Sequence, residues 1–429
     1  MCAQQSRCFI HFDRAPLESR SGPEMNRTER RAPVVLFYWH DMWLPHSQFL
    51  LAELRAWRHT RSVLICGPSD RKGVASVFNV DETGPYDALN PSNVESQEVR
   101  TTSYRWRETI CTFTEWRRLI HKHKPDILVV CDEALSLNVL LAGVANRIYG
   151  NGVVLFYAFE NIIQRPAWSE FLAQRDAKAF ARLLRKMFRT VVIDRWLMPI
   201  RRHVVHGGLA SYDECVAVLQ AYEWRPPMEL QWWPVNTASF AIDGLKADFE
   251  LNVEYVVGFV GRFVAEKGIS DLISAISMLE ERFGLVLIGD GPEGPSIEVQ
   301  IVGLGIGHRC KILPPQHARS LAASYRGMDL LVLPSKPTSA WKEQYGRVLV
   351  EAKLCGTRVA GSDVGAIPTV VGDPSMIFPA GNIVALASTI RRAASEVTTR
   401  AGQSANAAPP SFLAAWLQLA ETCRRKRNT

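Results

Sequence analysis

Two glutamates in the second half of the chain have the residue type and spacing to line an anion site. Glu343 and Glu351 stand eight positions apart across a Gln-Tyr-Gly turn, and residues 347–356 predict a helix that ends at its glycine. The first amides of a helix lack partners within the helix, and the helix dipole is positive there, so this turn predicts an anion site. Glu343 is then expected in the loop beside the anion, with Glu351 deeper, on the inner face of the helix.

Two cations occupy a second segment upstream. Residues 256–268 predict an apolar strand followed by a short loop that carries Arg262 and Lys267, and a helix from about 269 to 283 is expected next. A guanidinium fork and an ammonium beside a helix start suit a diphosphate. Isolated glutamates at a helix start are usually solvated charges. The cationic loop is the observation that favours a binding site here.

The two segments together resemble the retaining nucleotide-sugar glycosyltransferases of family 4 (group 1). The C-terminal halves of that family carry Gly-Arg-x-x-x-x-Lys-Gly and then two glutamates with seven residues between them. Residues 287–292, 328–335 and 361–368 of this chain agree with the family as well, so the resemblance spans about 256–380. It implies that Glu343 holds hydroxyls of the donor sugar and that Glu351 accepts from the ribose hydroxyls of the nucleotide.

The candidate site residues follow from the residue types and from this resemblance. The predicted catalytic residues are Arg262, Lys267 and Glu343. The predicted donor-binding residues are Gly261, Gln344, Tyr345, Gly346, Arg347 and Glu351. Arg262 and Lys267 are expected to stabilise the negative charge that builds on the departing diphosphate.

Apolar strands alternate with helical segments along most of the chain, which predicts an α/β fold with parallel sheets. Its 429 residues exceed one ordinary core. The resemblance implies two Rossmann-like doubly wound domains that face each other across a cleft (GT-B type), with a last helix at about 412–424 crossing back onto the first domain. The expected divisions are a disordered or non-native arm at 1–31, an acceptor-side domain at 32–235, a linker at 236–252, a nucleotide-sugar-binding domain at 253–400 and a tail at 401–429.

The strands and helices are predicted as follows. In the first domain, strands are expected at 33–39, 62–66, 126–131, 153–157 and 190–194, and helices at about 46–58, 108–124, 138–149 and 168–189. In the second domain, strands are expected at 255–260, 285–288, 310–313, 330–333 and 357–360.

The acceptor side resembles the family more weakly. Residues 40–46 replace the glycine-rich turn that many members place after their first strand, and Glu160 and Asn161 stand where many carry a histidine. Glu160, Asn161 and Glu133 are candidate acceptor-side residues, and plain strand-end charges are an equal alternative for the glutamates.

Neither a cofactor nor a metal is expected. The chain has no Asp-x-Asp motif, the usual divalent clamp for a diphosphate, and His121, His123, His203 and His206 lack carboxylate partners at helical spacing. Nine scattered cysteines, never spaced Cys-x-x-Cys, predict reduced thiols. No run of eighteen apolar residues and no signal-peptide core occur, so a cytoplasmic location is expected.

The charge distribution leaves the acceptor open. Residues 101–210 hold 17 Lys and Arg against 9 Asp and Glu, which suits either the inner face of an anionic membrane, with a lipid-linked acceptor, or a solvated basic face. No nucleic-acid-binding module occurs. The predicted function is metal-independent, retaining transfer of a sugar from a UDP-, GDP- or ADP-sugar to a glycan, lipid-linked or small-molecule acceptor. The alternatives are a nucleotide-sugar epimerase of similar fold and a non-catalytic subunit that binds the donor.

Overall fold

A computed structural model describes most of the chain from Pro33 onward. The described residues are 33–38, 61–66, 94–98, 101–104, 108–159, 195–231, 235, 237, 239–338, 341–396 and 412–428. The predicted arm at 1–31, the helices at 46–58 and 168–189 and the strand at 190–194 lie outside them. Residues 33–429 form one unit that contains both of the large sheets.

The first sheet has seven parallel strands in the order β3-β2-β1-β6-β7-β8-β9. Its strands are β1 (Val34–Tyr38), β2 (Arg61–Cys66), β3 (Val94–Glu98), β6 (Ile127–Val130), β7 (Val153–Ala158), β8 (Gly207–Ala210) and β9 (Met228–Leu230). A separate antiparallel pair consists of β4 (Thr101–Tyr104) and β5 (Glu108–Cys111). The continuous apolar sequences of β1, β6 and β7 are buried throughout, as expected for strands covered on both faces.

The second sheet has six parallel strands in the order β12-β11-β10-β13-β14-β15. Its strands are β10 (Tyr255–Val260), β11 (Phe283–Ile288), β12 (Cys310–Leu313), β13 (Leu330–Leu333), β14 (Arg358–Ser362) and β15 (Ile377–Phe378). In both sheets the strand order turns back next to the first strand, between β1 and β6 and between β10 and β13. In open parallel sheets, ligands bind outside the carboxyl ends of the strands at such a point.

The same hydrogen-bonded pair joins the central strands of both sheets. The Asp126 carboxylate accepts from the Val34 amide at 2.8 Å, and the Asp126 amide donates to the Val34 carbonyl at 2.8 Å. In the second sheet, Asp329 makes the equivalent bonds with Val256 at 2.8 and 2.9 Å. Each aspartate directly precedes a central strand, so a short local pattern sets the register of two strands that are far apart in sequence.

Eleven α-helices lie within the described residues. They are α1 (Phe113–His123), α2 (Leu137–Tyr149), α3 (Arg195–Val204), α4 (Asp213–Ala221), α5 (Ile269–Ser277), α6 (Gly294–Gly303), α7 (Ala318–Gly327), α8 (Arg347–Leu354), α9 (Ile367–Val371), α10 (Ile383–Ser395) and α11 (Phe412–Asn428). Side chains cap several of them: Thr112, Ser136 and Asn382 each accept a backbone N–H of the first turn of α1, α2 and α10.

The last helix covers one face of the first sheet. Val35 and Phe37 of β1 pack in one buried cluster with Trp416 and Leu419 of α11, whereas Leu36 belongs to the cluster on the opposite face, beneath α1 and α2. Successive strand residues point to opposite faces, so both faces of the sheet are filled. The predicted crossing of the C-terminal helix back onto the first domain is therefore confirmed, and so is the two-sheet α/β fold.

Two helix boundaries differ from the sequence prediction, and some strands of the first sheet were not predicted. The helix predicted from 108 begins at 113, because Glu108–Cys111 forms a strand paired with β4 and Thr112 caps the helix. The helix predicted to reach 283 ends at Ser277, and β11 begins at Phe283. Strands β8 and β9 were not predicted, because Gly207–Ala210 carries two glycines and Met228–Leu230 has only three residues.

The stability of the first domain is expected to fall in mild acid because of His206. Its Nδ1 accepts from the Val154 amide at 2.9 Å, and burial, with Arg427 as the next cause, lowers its pKa from 6.5 to about 4. The neutral ring is therefore favoured in the folded state. The stability that this group contributes is complete above its pKa in the unfolded state, and it is lost as pH falls toward its folded-state pKa of about 4.

We expect the free energy of unfolding to drop by about 3 kcal/mol from this group between neutral pH and pH 4, at about 1.4 kcal/mol per pKa unit. Urea unfolding of wild type and His206→Asn, which keeps an acceptor near Nδ1 but does not titrate, measures this. The variant should lose less stability on acidification, whereas His317→Asn, at an exposed histidine, should behave as wild type. An equally steep loss in His206→Asn would contradict the assignment.

Candidate active site

The candidate site lies where the strand order of the second sheet turns back. The loop after β10 carries residues 261–268, and the loop after β13 carries residues 334–346. Because β10 and β13 are neighbouring parallel strands, both loops leave the same edge of the sheet side by side. The two sequence segments predicted to form one site therefore do lie together.

Two glycines bring the loops of the site into close contact. Gly268 has φ of +69°, and a Cβ there would lie 2.0 Å from the Pro334 carbonyl oxygen. Gly365 has φ of +56° and lies against the backbone of Glu343. A Cβ at Gly365 would lie 1.9 Å from the Glu343 carbonyl oxygen. The Ala366 amide donates to the same carbonyl at 3.2 Å. The backbone that carries Glu343 is thus held by contacts that only glycine permits.

Lys267 and Glu343 form an ion pair across the two loops. The Nζ of Lys267 is 2.6 Å from Oε2 of Glu343, and the Ser335 hydroxyl donates to the same oxygen at 2.9 Å. The side chains are 18% and 10% exposed, and Nζ also lies 5.0 Å from the centre of the Trp341 ring. Removing one member of a largely buried pair leaves the other charge uncompensated. The pair therefore fixes both side chains at the edge of the sheet.

Helix α8 begins without a side-chain cap at the predicted Gln-Tyr-Gly turn. Gly346 is its N-cap residue, with φ of +67°, and no side chain accepts from its first amides. Gln344 is exposed and Tyr345 is buried. Helix α5 begins in the same way after Gly268. Two helix starts without side-chain caps therefore flank the Lys267–Glu343 pair, one from each loop, and each directs positive dipole outward.

Glu351 lies inside the second domain, one turn along α8. Its carboxylate accepts from the Tyr325 hydroxyl at 2.9 Å, and the Nε of Arg347 lies 3.2 Å from its other oxygen. Burial raises the pKa of Glu351, and the guanidinium of Arg347 and the Tyr325 hydroxyl oppose that rise. A carboxylate of this kind retains acceptor capacity for further donors.

Arg262 lies apart from the ion pair. Its side chain is 64% exposed, and its Nη2 is 3.7 Å from Oε1 of Glu266 in the same loop. The preceding Gly261 donates its amide to the Ile288 carbonyl at 3.0 Å, which anchors the start of the loop to β11. The loop thus presents one largely buried cation, Lys267, and one solvent-facing cation, Arg262, at the same edge.

The acceptor-side candidates are placed only in part. The Glu133 carboxylate accepts from the Phe159 amide at 2.9 Å and so joins the carboxyl ends of β6 and β7. Glu160 and Asn161 lie outside the described residues. Glu133 therefore has a structural role in holding the chain as it leaves β7.

Three side chains of the site were not predicted from the sequence. Ser335 and Trp341 contact the ion pair, and Tyr325 donates to Glu351 from helix α7. Ser335 follows β13 at the carboxyl edge of the sheet, and this position could have indicated that it belongs to the site. Tyr325 carries no local signal, because it is 26 residues away from its partner.

The loops of the site also contact the first domain. Ala366 packs in the apolar cluster of the first sheet, and Lys342 lies 3.9 Å from Glu214 of α4. The residues beside Glu343 therefore face the first domain.

Several sequence expectations outside the site can be compared with the structure. The described cysteines, Cys111, Cys131, Cys215, Cys310, Cys355 and Cys423, are free. Arg201 is fully buried and donates to the Leu135 carbonyl, so it is not part of an exposed basic face. Four other basic residues of this stretch lie outside the described residues: Arg182, Arg185, Lys186 and Arg189.

Within the described part of the chain, no three His, Cys, Asp or Glu side chains are grouped as metal ligands, and no helix is long and apolar enough to cross a bilayer.

Comparisons with known proteins find sequence similarity in the second domain. Residues 246–408 match the family described as "Glycosyl transferases group 1". The chain is 38% identical over 145 residues to D-inositol 3-phosphate glycosyltransferase from Mycobacteroides abscessus, covering 32% of this chain and 30% of that protein. It is 31% identical over 164 residues to 2-deoxystreptamine glucosyltransferase from Streptomyces kanamyceticus, covering 37% and 41%. The matches thus span well under half the length of these relatives.

Solved structures share the whole fold at low identity. A glycosyltransferase from Rickettsia africae aligns with a TM-score of 0.62 and 16% identity, over 93% of this chain and 98% of that one. The Anabaena protein HepE in complex with UDP aligns with a TM-score of 0.60 and 15% identity, over 92% and 98%. The fold is therefore the two-domain GT-B fold.

Gly365→Ala should destabilise the protein more than an alanine at another left-handed glycine. At Gly372, with φ of +73°, the nearest atom to a built Cβ is 3.9 Å away, so Gly372→Ala should cost about 1 kcal/mol of backbone strain alone. Gly365→Ala adds a clash with the Glu343 backbone, and we expect a further loss of about 1–3 kcal/mol. Urea unfolding of both variants measures the difference. Equal losses would show that the two loops are not in contact as described.

Proposed function

We propose that this protein is a retaining, metal-independent glycosyltransferase that moves a sugar from a nucleoside diphosphate sugar to a hydroxyl acceptor. The observation that carries the proposal is the Lys267–Glu343 ion pair, set between two helix starts without side-chain caps at the binding edge of a domain with group 1 sequence. A cation and a carboxylate at hydrogen-bonding distance suit a ligand that has a phosphate on one side and sugar hydroxyls on the other.

The departing diphosphate is the part of the donor that needs most stabilisation. As the bond between the anomeric carbon and the phosphate oxygen breaks, negative charge develops on that oxygen. Lys267, Arg262 and the first amides of α8 supply positive charge for it. One preorganised donor of this kind is worth on the order of 3 kcal/mol in the transition state. In this proposal these groups take the role that a divalent ion has in other transferases.

Both members of the ion pair contact the donor when it binds. Lys267 turns from the carboxylate to a phosphate oxygen, and Glu343 accepts hydroxyls of the sugar in exchange. Ser335 continues to donate to Glu343, which keeps the carboxylate oriented. Lys267 thus keeps an anionic partner and Glu343 keeps hydrogen-bond donors, which reduces the cost of separating the buried pair.

Glu351 is assigned to the ribose of the nucleotide. The two ribose hydroxyls are donors, and a carboxylate oriented by Tyr325 and Arg347 can accept from both. Arg347 and the backbone of Gln344, Tyr345 and Gly346 are proposed to line the donor beside it.

The donor and acceptor are proposed as classes. A UDP-, GDP- or ADP-sugar is the donor, and UDP is the first to test because HepE, which shares the fold, has been solved with UDP. The acceptor is a glycan, a lipid-linked sugar or a small polyol. Two relatives are named for D-inositol 3-phosphate and 2-deoxystreptamine, and these names favour an acceptor with a polyhydroxylated ring.

Donor screening tests the proposal directly. Thermal shift with UDP-, GDP- and ADP-sugars identifies the donor, and nuclear magnetic resonance then follows that donor with the protein alone. Slow hydrolysis of the donor, accelerated by an acceptor, supports a transferase. Epimerised donor would indicate an epimerase, and tight binding with no turnover under any acceptor would indicate a non-catalytic subunit.

Lys267→Ala should lower turnover by at least a hundredfold, since it removes a donor worth about 3 kcal/mol to the departing diphosphate. Slow donor hydrolysis or transfer to the identified acceptor provides the rate. Lys336→Ala is the matched control, because Lys336 lies in the neighbouring loop but pairs with Asp271 at 3.2 Å. It should keep near-normal turnover. Near-normal turnover in Lys267→Ala would show that Lys267 does not stabilise the departing diphosphate.

UDP affinity should fall in acid through Glu351. Burial raises the pKa of this carboxyl, so it becomes protonated, and loses its charged acceptor, at a higher pH than an ordinary glutamate does. Calorimetry of UDP binding as pH is lowered should show this loss. Glu351→Gln should bind about tenfold more weakly at neutral pH, with a flat profile over that range, since one bond to a charged group is worth about 1.5 kcal/mol.

The stability of the protein should change in the opposite sense. A raised pKa means that the folded state favours the protonated carboxyl of Glu351. The stability that this group contributes is therefore complete below its pKa in the unfolded state, and it is lost as pH rises through its pKa in the folded state. Glu298→Gln, at an exposed glutamate, is the control for both measurements. A Glu351→Gln variant with wild-type UDP affinity would contradict the ribose assignment.

A further inference from the structure

A cavity of about 700 Å³ opens on the first domain, away from the candidate active site. His206 and Pro227, which line it, directly precede β8 and β9, so the cavity lies at the amino edge of the first sheet. The end of α11 closes one side through Cys423 and Arg427. The loops of the candidate active site leave the carboxyl edges of the strands instead, so the two sites are separate.

The lining of this cavity is strongly basic. None of its lining residues is an aspartate or a glutamate, and two histidines accompany the cations. The cations come from α2, α3, the segment before β9, and α11: Arg147, Arg202, Arg225, Lys426 and Arg427. Side chains from four separate parts of the chain thus converge on one concave site.

Carboxylates of the described residues compensate the four arginines of this cavity only weakly. Arg202 lies 3.2 Å from Glu223, but that glutamate is 74% exposed, and exposed pairs contribute little. Arg427 donates to the carbonyls of Asn151 and Gly152 at 3.3 and 3.5 Å, which holds the guanidinium in place without neutralising it. Arg147 and Arg225 have no ion pair with any described residue. A concentrated positive field of this kind attracts anions.

We propose that this cavity binds a compact anion that bears two or more phosphate groups. Guanidinium forks bind phosphate oxygens in pairs, and four of the five cations are arginines. The volume lies within the range of small-molecule sites. The cations converge on this one recess from four separate parts of the chain, an arrangement that suits several phosphates carried by one small anion better than the spread headgroups of a membrane. This site does not depend on the proposed transferase activity.

Calorimetry with tripolyphosphate at low ionic strength tests the proposal. Because Arg262 and Lys267 form a second candidate phosphate site, all proteins carry Arg262→Gln and Lys267→Gln, and circular dichroism confirms that each is folded. In this background we expect one tripolyphosphate per chain, with affinity that falls as salt is raised.

Adding Arg147→Gln and Arg225→Gln should weaken binding at least tenfold. The matched control adds Lys246→Gln and Arg319→Gln, two exposed cations of the second domain, and should change affinity less than twofold. Equal weakening by both pairs, or no binding of tripolyphosphate, would overturn the proposal. Flotation with phosphatidylglycerol vesicles is run in parallel. Vesicle binding lost only in the Arg147 and Arg225 variant, without binding of tripolyphosphate, would assign the cations to a membrane surface and also overturn it.

Discussion

The ion pair between Lys267 and Glu343 is the interaction on which the rest of the site depends. It joins the loops that follow two neighbouring parallel strands, β10 and β13, at the point where the strand order of the second sheet turns back. Sheet topology alone brings these loops together. Their separation is then set by Gly268, which lets one loop touch the carbonyl of Pro334 in the other.

The pair also explains why so much of the surrounding structure is constrained. Ser335 orients the carboxylate, and Gly365 admits the backbone of Glu343 into contact with the loop after β14. Helices α5 and α8 both begin within a few residues of the pair and leave their first amides without side-chain caps. Positive dipole, a cation and an oriented carboxylate therefore share one edge, an arrangement suited to a ligand with a charged phosphate and neutral hydroxyls.

Much of the fold and part of the site could be predicted from the sequence. Strands buried on both faces carry continuous apolar sequences, so these sequences predicted two parallel sheets. The two segments that carry Lys267 and Glu343 were predicted to lie together, and these side chains are in contact. Tyr325 was not predicted, because its bond to Glu351 is made from another helix and leaves no local pattern. Likewise, nothing in the basic composition of residues 101–210 distinguished the buried Arg201 from cations that line a cavity.

A crystal structure of the protein soaked with UDP would show whether the diphosphate binds at the Lys267–Glu343 pair. We expect the β-phosphate to lie within hydrogen-bonding distance of Lys267 Nζ and the first amides of α8, with the ribose hydroxyls on Glu351. UDP bound elsewhere, with the Lys267–Glu343 pair intact and the edge of the second sheet empty, would contradict it.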